Sequence, residues 1–324
     1  MNRISIDFKE GVSRALDRIR PDIKRTALEF SPSLSEISGA EVYLKWENDQ
    51  RTGSFKFRGA LNRVRTLSPE ERKKGIVSAS TGNHGLGVGL ASRLEGVKLT
   101  LVLPANISQE KRRRLEESGS DMLEYGESCD KAEIWARRMA LDTGRVFISP
   151  YNDEQIICGQ GTIGLEIFED CPDAEAVLVA VGGGGLCAGI AGYLKSRSGK
   201  IKVFGVEPDN SAFMTASLRA GRIVEIIEEV TIADAVAGGI EPGSITFPLC
   251  QELLEGIITV EEDLLKRAMR LVYDHHQKKV EGAGALPLAG LLTQGRLFQK
   301  KKVILVVSGG NVSPRAFAEA IAGR

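Results

Sequence analysis

Short apolar runs rich in β-branched residues alternate along the whole chain with longer helix-like stretches. The clearest runs are residues 99–103, 146–148, 176–181, 203–206 and 303–307. A run apolar on both faces suits a strand in a sheet covered on both sides. The stretches between the runs can supply that cover. Ser68-Pro69-Glu70-Glu71 reads as a helix start, with an N-cap, a proline at the first helical position and the glutamate of a capping box. Thr259-Val260-Glu261-Glu262 reads as a second capping box before an amphipathic stretch to about Asp274. Strand–helix alternation of this kind predicts an α/β fold. Ligands in such folds bind beyond the carboxyl ends of the strands, so the residues following each run are the place to search.

The 324 residues are 42% hydrophobic, enough for one large core or two moderate ones, and carry 43 basic and 43 acidic side chains. This balance argues against nucleic-acid and membrane-surface partners, which demand a basic excess. The basic cluster Lys111, Arg112, Arg113 and Arg114 reads as the solvated face of a helix. Five cysteines, at 129, 158, 171, 187 and 250, are odd in number and show no metal-ligand spacing. They read as small core or half-buried residues in a reducing cytoplasm. The leading residues 1–10 lack the apolar run of a signal peptide, and no run reaches the ~18 apolar residues of a membrane span. Adjacent His275 and His276 point in different directions on a helix, so no metal site is expected there.

Four run ends carry glycine or polar clusters. After residues 176–181 come Gly182, Gly183, Gly184, Gly185 and Leu186, with a helix expected to begin directly afterwards. Consecutive glycines let backbone N–H groups approach an anion, and a helix start adds unpaired donors and a positive dipole end. The pattern lacks the ribose acid of a dinucleotide site and the lysine of a Walker loop, so a single phosphate monoester fits best. After residues 76–77 come Ser78-Ala79-Ser80-Thr81-Gly82-Asn83-His84, suited to a carboxylate or a ring oxygen. After residues 303–307 comes Ser308-Gly309-Gly310-Asn311, and after 203–206 comes Glu207-Pro208. Upstream, Gly53-Ser54-Phe55-Lys56-Phe57-Arg58-Gly59-Ala60 places a lysine between two aromatic residues. Desolvation there would lower its pKa and make it a nucleophile or base.

In combination these motifs resemble the fold-type II pyridoxal-phosphate family of threonine and serine dehydratases and serine racemase. The resemblance runs over nearly the whole chain, including Gly159-Gln160-Gly161-Thr162 and Glu281-Gly282-Ala283-Gly284-Ala285, in the family's order. It implies two open-sheet α/β domains of the tryptophan synthase β-like type with pyridoxal 5'-phosphate between them. Residues 1–74 and 151–324 would form the large domain and residues 75–150 the small one. Lys56 would carry the cofactor as a Schiff base and act as the catalytic base, and Phe55 would pack against it. Asn83 would meet the ring's phenolic oxygen, and Ser308 the pyridine nitrogen. Gly182, Gly183, Gly184, Gly185 and Leu186 would hold the phosphate. Ser80, Thr81, Gly82 and His84 would bind the substrate. The side-chain pocket would come from Tyr151 and from the 80–86 and 235–240 stretches.

The implied reaction is loss of water and ammonia from a small β-hydroxy amino acid, by default L-threonine or L-serine, giving a 2-keto acid. A neutral serine at the pyridine nitrogen makes a weaker electron sink and favours prompt β-elimination. Leu86 replaces the family's usual glutamine, Thr81 replaces the second serine of racemases, and Phe213 aligns with the aspartate that joins Glu207 in the racemases' divalent-metal site. These departures favour dehydratase over racemase. Alternatives are 3-hydroxyaspartate or a hydroxyectoine-derived substrate, the latter on the similarity around Ala237-Gly238-Gly239-Ile240, then racemisation, then a non-catalytic binder of the cofactor. The family implies a homodimer. With one helix-like stretch after Ser308, no appended regulatory domain is expected.

Overall fold

The computed structural model describes residues 6–117 and 119–322. Residues 1–5 of the leading segment considered above lie outside it.

The strands are β1 (Leu28–Phe30), β2 (Glu41–Trp46), β3 (Ile76–Ala79), β4 (Leu99–Leu103), β5 (Asp121–Glu124), β6 (Val146–Phe147), β7 (Ala176–Ala180), β8 (Lys202–Pro208), β9 (Gly256–Val260) and β10 (Lys302–Val307). They form a six-stranded sheet ordered β1-β2-β10-β7-β8-β9 and a four-stranded sheet ordered β5-β4-β3-β6. All pairings are parallel except β1 with β2.

Alternation along β7 shows why the runs are apolar on both faces. Val177 and Val179 enter one core with Ile163 and Ile190, from the helices Glu154–Asp170 and Gly185–Arg197. Ala176, Leu178 and Ala180 enter the opposite core with Met269 and Leu286, from the helices Glu262–His276 and Gly282–Thr293. Period-two side-chain alternation therefore feeds two helix layers at once.

The first expected capping box is present: the Glu71 backbone N–H donates to Ser68 Oγ at 3.2 Å, and the Ser68 N–H donates to Glu71 Oε2 at 2.8 Å. The second is not. Thr259 and Val260 pair with Glu207 and Pro208 inside the sheet, and the helix starts at Glu262. Strand pairing claims Thr259 before it can cap. Glu262 Oε2 instead accepts the Ile232 N–H at 3.0 Å.

Candidate active site

A cavity of about 280 Å³ is lined from both sheets, at the carboxyl ends of β3, β7 and β10. Every site residue expected from the sequence borders it: Phe55, Lys56, Ser80, Thr81, Gly82, Asn83, His84, Gly182, Gly183, Gly184, Gly185, Leu186 and Ser308. Tyr151 and Leu86 border it too. From the 235–240 stretch, Ala235 and Val236 line the cavity, whereas Gly239 packs toward the Phe213 ring.

Lys56 opens the helix Lys56–Arg65 and donates from Nζ to the Pro150 carbonyl at 2.8 Å. Burial lowers its pKa to about 8, against the opposing pull of Glu281. Its helix is held rigidly from below. Arg58, fully buried, donates to Glu47 through Nε and Nη2 at 2.8 Å each. It also donates to Glu166 at 2.7 Å and 3.0 Å. Lys45 Nζ donates to Glu166 at 2.6 Å, so the buried quartet is charge-balanced. Burial opposes the charge on Arg58, but the two carboxylates win and raise its pKa. Gly59 brings this helix close to the helix Glu154–Asp170: a Cβ on Gly159 would stand 2.6 Å from the Gly59 Cα. The glycine–glutamine motif at 159–160 is thus a packing contact, with Gln160 Oε1 accepting the Gly59 N–H at 3.1 Å.

The glycine loop after β7 ends at Gly184, the N-cap of the helix Gly185–Arg197, with φ +86° and no side-chain cap. The helix's first N–H groups are therefore free of a capping side chain, beside a cavity wall without Cβ atoms. That donor set matches a phosphate monoester.

Across the cavity, Asn83 Nδ2 donates to Glu281 Oε1 at 2.7 Å, and Asn311 Nδ2 donates to Asn83 Oδ1 at 2.6 Å. The second amide hydrogen of Asn83 is left over for a ring oxygen. Burial pushes Glu281 up to about 7, with Asp234 adding to the rise and the Asn83 and Asn311 N–H groups opposing it. The imidazole of His84 is turned to the protein: Nε2 bonds the Ile148 carbonyl at 3.1 Å. Since a carbonyl only accepts, Nε2 carries the hydrogen. Burial, with the nearby Lys56 charge, depresses His84 to about 3, so the ring is neutral. Burial also raises Tyr151 to about 12; its Oη accepts the Glu241 N–H at 2.8 Å.

Three features corrected or escaped the sequence reading. Lys111 and Arg114 are not simply a solvated face, because both border the cavity. Lys111 pairs with Asp234 at 3.3 Å and Arg114 donates to Asn311. Their spacing of three residues puts them on one helix face and was a readable signal. Cys129 is exposed rather than half-buried, and borders the cavity. Glu207, which aligns with a metal-site glutamate of the racemases, accepts from the Met214 N–H at 2.9 Å, the Thr215 N–H at 2.8 Å and Thr215 Oγ1 at 2.6 Å. It thereby caps the helix Phe213–Ala220.

Residues 19–309 match the family described as pyridoxal-phosphate dependent enzyme. The chain belongs to this family. It is 42% identical over 303 residues to an L-threonine ammonia-lyase of Thermotoga maritima, covering 94% of this chain and 75% of that protein. The processed threonine deaminase isoform 2 of Solanum lycopersicum superposes with a TM-score of 0.93 at 34% identity, over 98% of this chain and 94% of the other. Maize serine racemase superposes with a TM-score of 0.90 at 31% identity, over 97% and 96%. The cofactor of this pyridoxal-phosphate-dependent enzyme fits the residues present: an amine of lowered pKa, a side-chain-free phosphate cradle and an amide at the opposite wall share one cavity.

Proposed function

We propose that the protein is a threonine ammonia-lyase, removing water and ammonia from L-threonine, and from L-serine as a smaller substrate, to release a 2-keto acid. The observation that carries this reading is Lys56: its amine, lowered to about 8, borders the same cavity as the uncapped glycine loop. The 42% identity to the Thermotoga enzyme supports threonine as substrate.

Pyridoxal phosphate, when bound, supplies the electron sink that acidifies the substrate Cα–H. Lys56 Nζ would hold its carbonyl carbon, Asn83 its phenolic oxygen, Ser308 its pyridine nitrogen and residues 182–186 its phosphate, with Phe55 packed alongside. The 80–82 turn would orient the substrate carboxylate at the start of the helix Asn83–Glu95. Neutral His84 would brace that turn through Ile148 rather than contact the substrate as a cation. Once released, Lys56 Nζ would take the Cα proton, since an amine near pKa 8 is partly unprotonated at neutral pH. Tyr151 and Val236 would exclude water and leave room for a short side chain. Residues 75–150 would act as the small domain, closing on residues 1–74 and 151–324. A cytoplasmic homodimer is the accompanying proposal, tested by light scattering and cell fractionation.

Racemisation is the second reading, favoured by the maize serine racemase superposition. Phe213 and the helix-capping engagement of Glu207 support dehydration instead. The test is keto-acid release from threonine, serine, 3-hydroxyaspartate and larger hydroxy amino acids, with chiral analysis of residual substrate. Keto acid from threonine supports the proposal. Inverted substrate without keto acid sinks it.

A further inference from the structure

Cys187 lies in the first turn of the helix Gly185–Arg197, and Cys250 lies in the helix Thr246–Leu253. Both side chains are fully buried, and their sulfurs stand 3.5 Å apart. Both thiols share one acceptor, the Gly184 carbonyl, at 3.1 Å from Cys187 and 3.8 Å from Cys250. Thr246, one helical turn before Cys250, donates from Oγ1 to the Gly183 carbonyl at 2.5 Å. One face of this short helix therefore backs the glycine loop. The fit is close: a Cβ on Gly184 would stand 2.9 Å from the Cys250 sulfur.

We propose that Cys187 and Cys250 are an oxidisable dithiol site beneath the glycine loop, and that joining them pulls the loop out of its phosphate-binding shape. The second half rests on the reading of that loop as the phosphate cradle. A peroxide supplies the chemistry. Its O–O bond breaks, the two thiols give up two electrons and two protons, an S–S bond forms and two waters leave. A disulfide spans about 2.05 Å, so the sulfurs must close by roughly 1.5 Å. The S–H donors to Gly184 disappear in the same event, and the carbonyl they share keeps only the Ala188 N–H, at 2.9 Å. With both sulfurs buried, and the Cys187 hydrogen bond together with burial holding the Cys250 thiol protonated, attack is slow while the loop stays closed. Oxidation thus requires the loop to open, and an anion seated on the loop opposes it.

The test treats the full chain with hydrogen peroxide, with and without saturating pyridoxal phosphate, and maps bridged peptides by mass spectrometry without reduction. Exposed Cys129, which borders the cavity, serves as the internal gauge of oxidation in the cofactor-free arm. The expected result is a Cys187–Cys250 peptide that forms several-fold more slowly with cofactor present. Cofactor affinity of the bridged protein should fall about ten-fold or more and return on thiol reduction. Cys187→Ser and Cys250→Ser, each close in size to the native residue, should keep their affinity through peroxide treatment. If Cys129 oxidises fully while Cys187 and Cys250 stay unbridged, no dithiol site exists. A bridge that leaves affinity unchanged overturns the coupling to the loop. Failure of the untreated protein to bind pyridoxal phosphate would instead overturn the cofactor-site reading, while the bridged peptide would still report on the dithiol.

Discussion

Asn83 and Glu281 meet across the cavity, Nδ2 to Oε1 at 2.7 Å, tying the turn after β3 to the helix Gly282–Thr293 packed on the six-stranded sheet. Glu281 Oε2 also accepts the Asn311 N–H at 3.2 Å. Replacing Glu281 by Ala leaves two donors without their acceptor. The expected cost is about 1–3 kcal/mol, with a looser junction between the two sheets. Urea unfolding and limited proteolysis check this; an unchanged midpoint with unchanged cleavage would count against the bridge.

Lys56→Ala should abolish the absorbance of the bound cofactor near ~410–430 nm and lower keto-acid release by about 10³-fold or more. In the native protein, capture of pyridoxal phosphate needs the neutral amine. With Lys56 near 8, the capture rate should rise with pH through neutrality and level off above about 8. Stopped-flow absorbance measures it. A midpoint near 10, the range of an exposed lysine, would contradict the burial argument.

Gly184→Ala places a Cβ against the Cys250 sulfur at a residue with φ +86°. The expected outcome is a loss of about 1–2 kcal/mol of stability and about ten-fold weaker cofactor binding. Fluorescence titration with pyridoxal phosphate reads the second effect directly. Native affinity in the variant would mean that the loop does not hold the phosphate.

Arg58→Met leaves Glu47 and Glu166 buried without their shared cation, at an expected cost of about 3–5 kcal/mol. Thermal unfolding checks it. Arg58→Lys keeps the charge but loses the fork to two carboxylates, and should fall between the two. A lysine variant as stable as the native protein would show that charge alone suffices.

His84 is depressed from 6.5 to about 3 by burial, so the unfolded chain binds its proton before the folded one does. Its contribution is therefore full above about 6.5 and is lost as pH falls toward 3. Urea midpoints measured from pH 7 down to pH 4 should decline less steeply in His84→Gln, by an amount on the order of 2–4 kcal/mol. Parallel declines in the two proteins would refute this assignment.

Much of the fold was legible because β4, β7, β8 and β10 are apolar on both faces, a pattern only a covered parallel sheet rewards. The cavity-lining residues were legible because glycine and polar clusters sit at strand ends. The Thr259 capping box misled because a cap and a strand end draw on the same residues, and pairing with Glu207 outweighed a local hydrogen bond. Lys111 and Arg114 misled for a related reason. A charged helix face looks the same in sequence whether it meets water or a cleft.

By itself, the order of residues determined the α/β class and the strand ends that carry polar clusters, while Lys56 stood out as a candidate amine only through the resemblance of the combined motifs to the family. Those properties follow from local periodicity and from groups close together along the chain. Tertiary structure alone decided which distant groups share space. It seated Arg58 between Glu47 and Glu166, turned His84 inward to Ile148, and brought Cys187 within 3.5 Å of Cys250. These contacts depend on how helices from remote segments pack against the sheets, and desolvation in those packed interiors, absent from any linear pattern, shifts the pKa values of Lys56, His84 and Glu281.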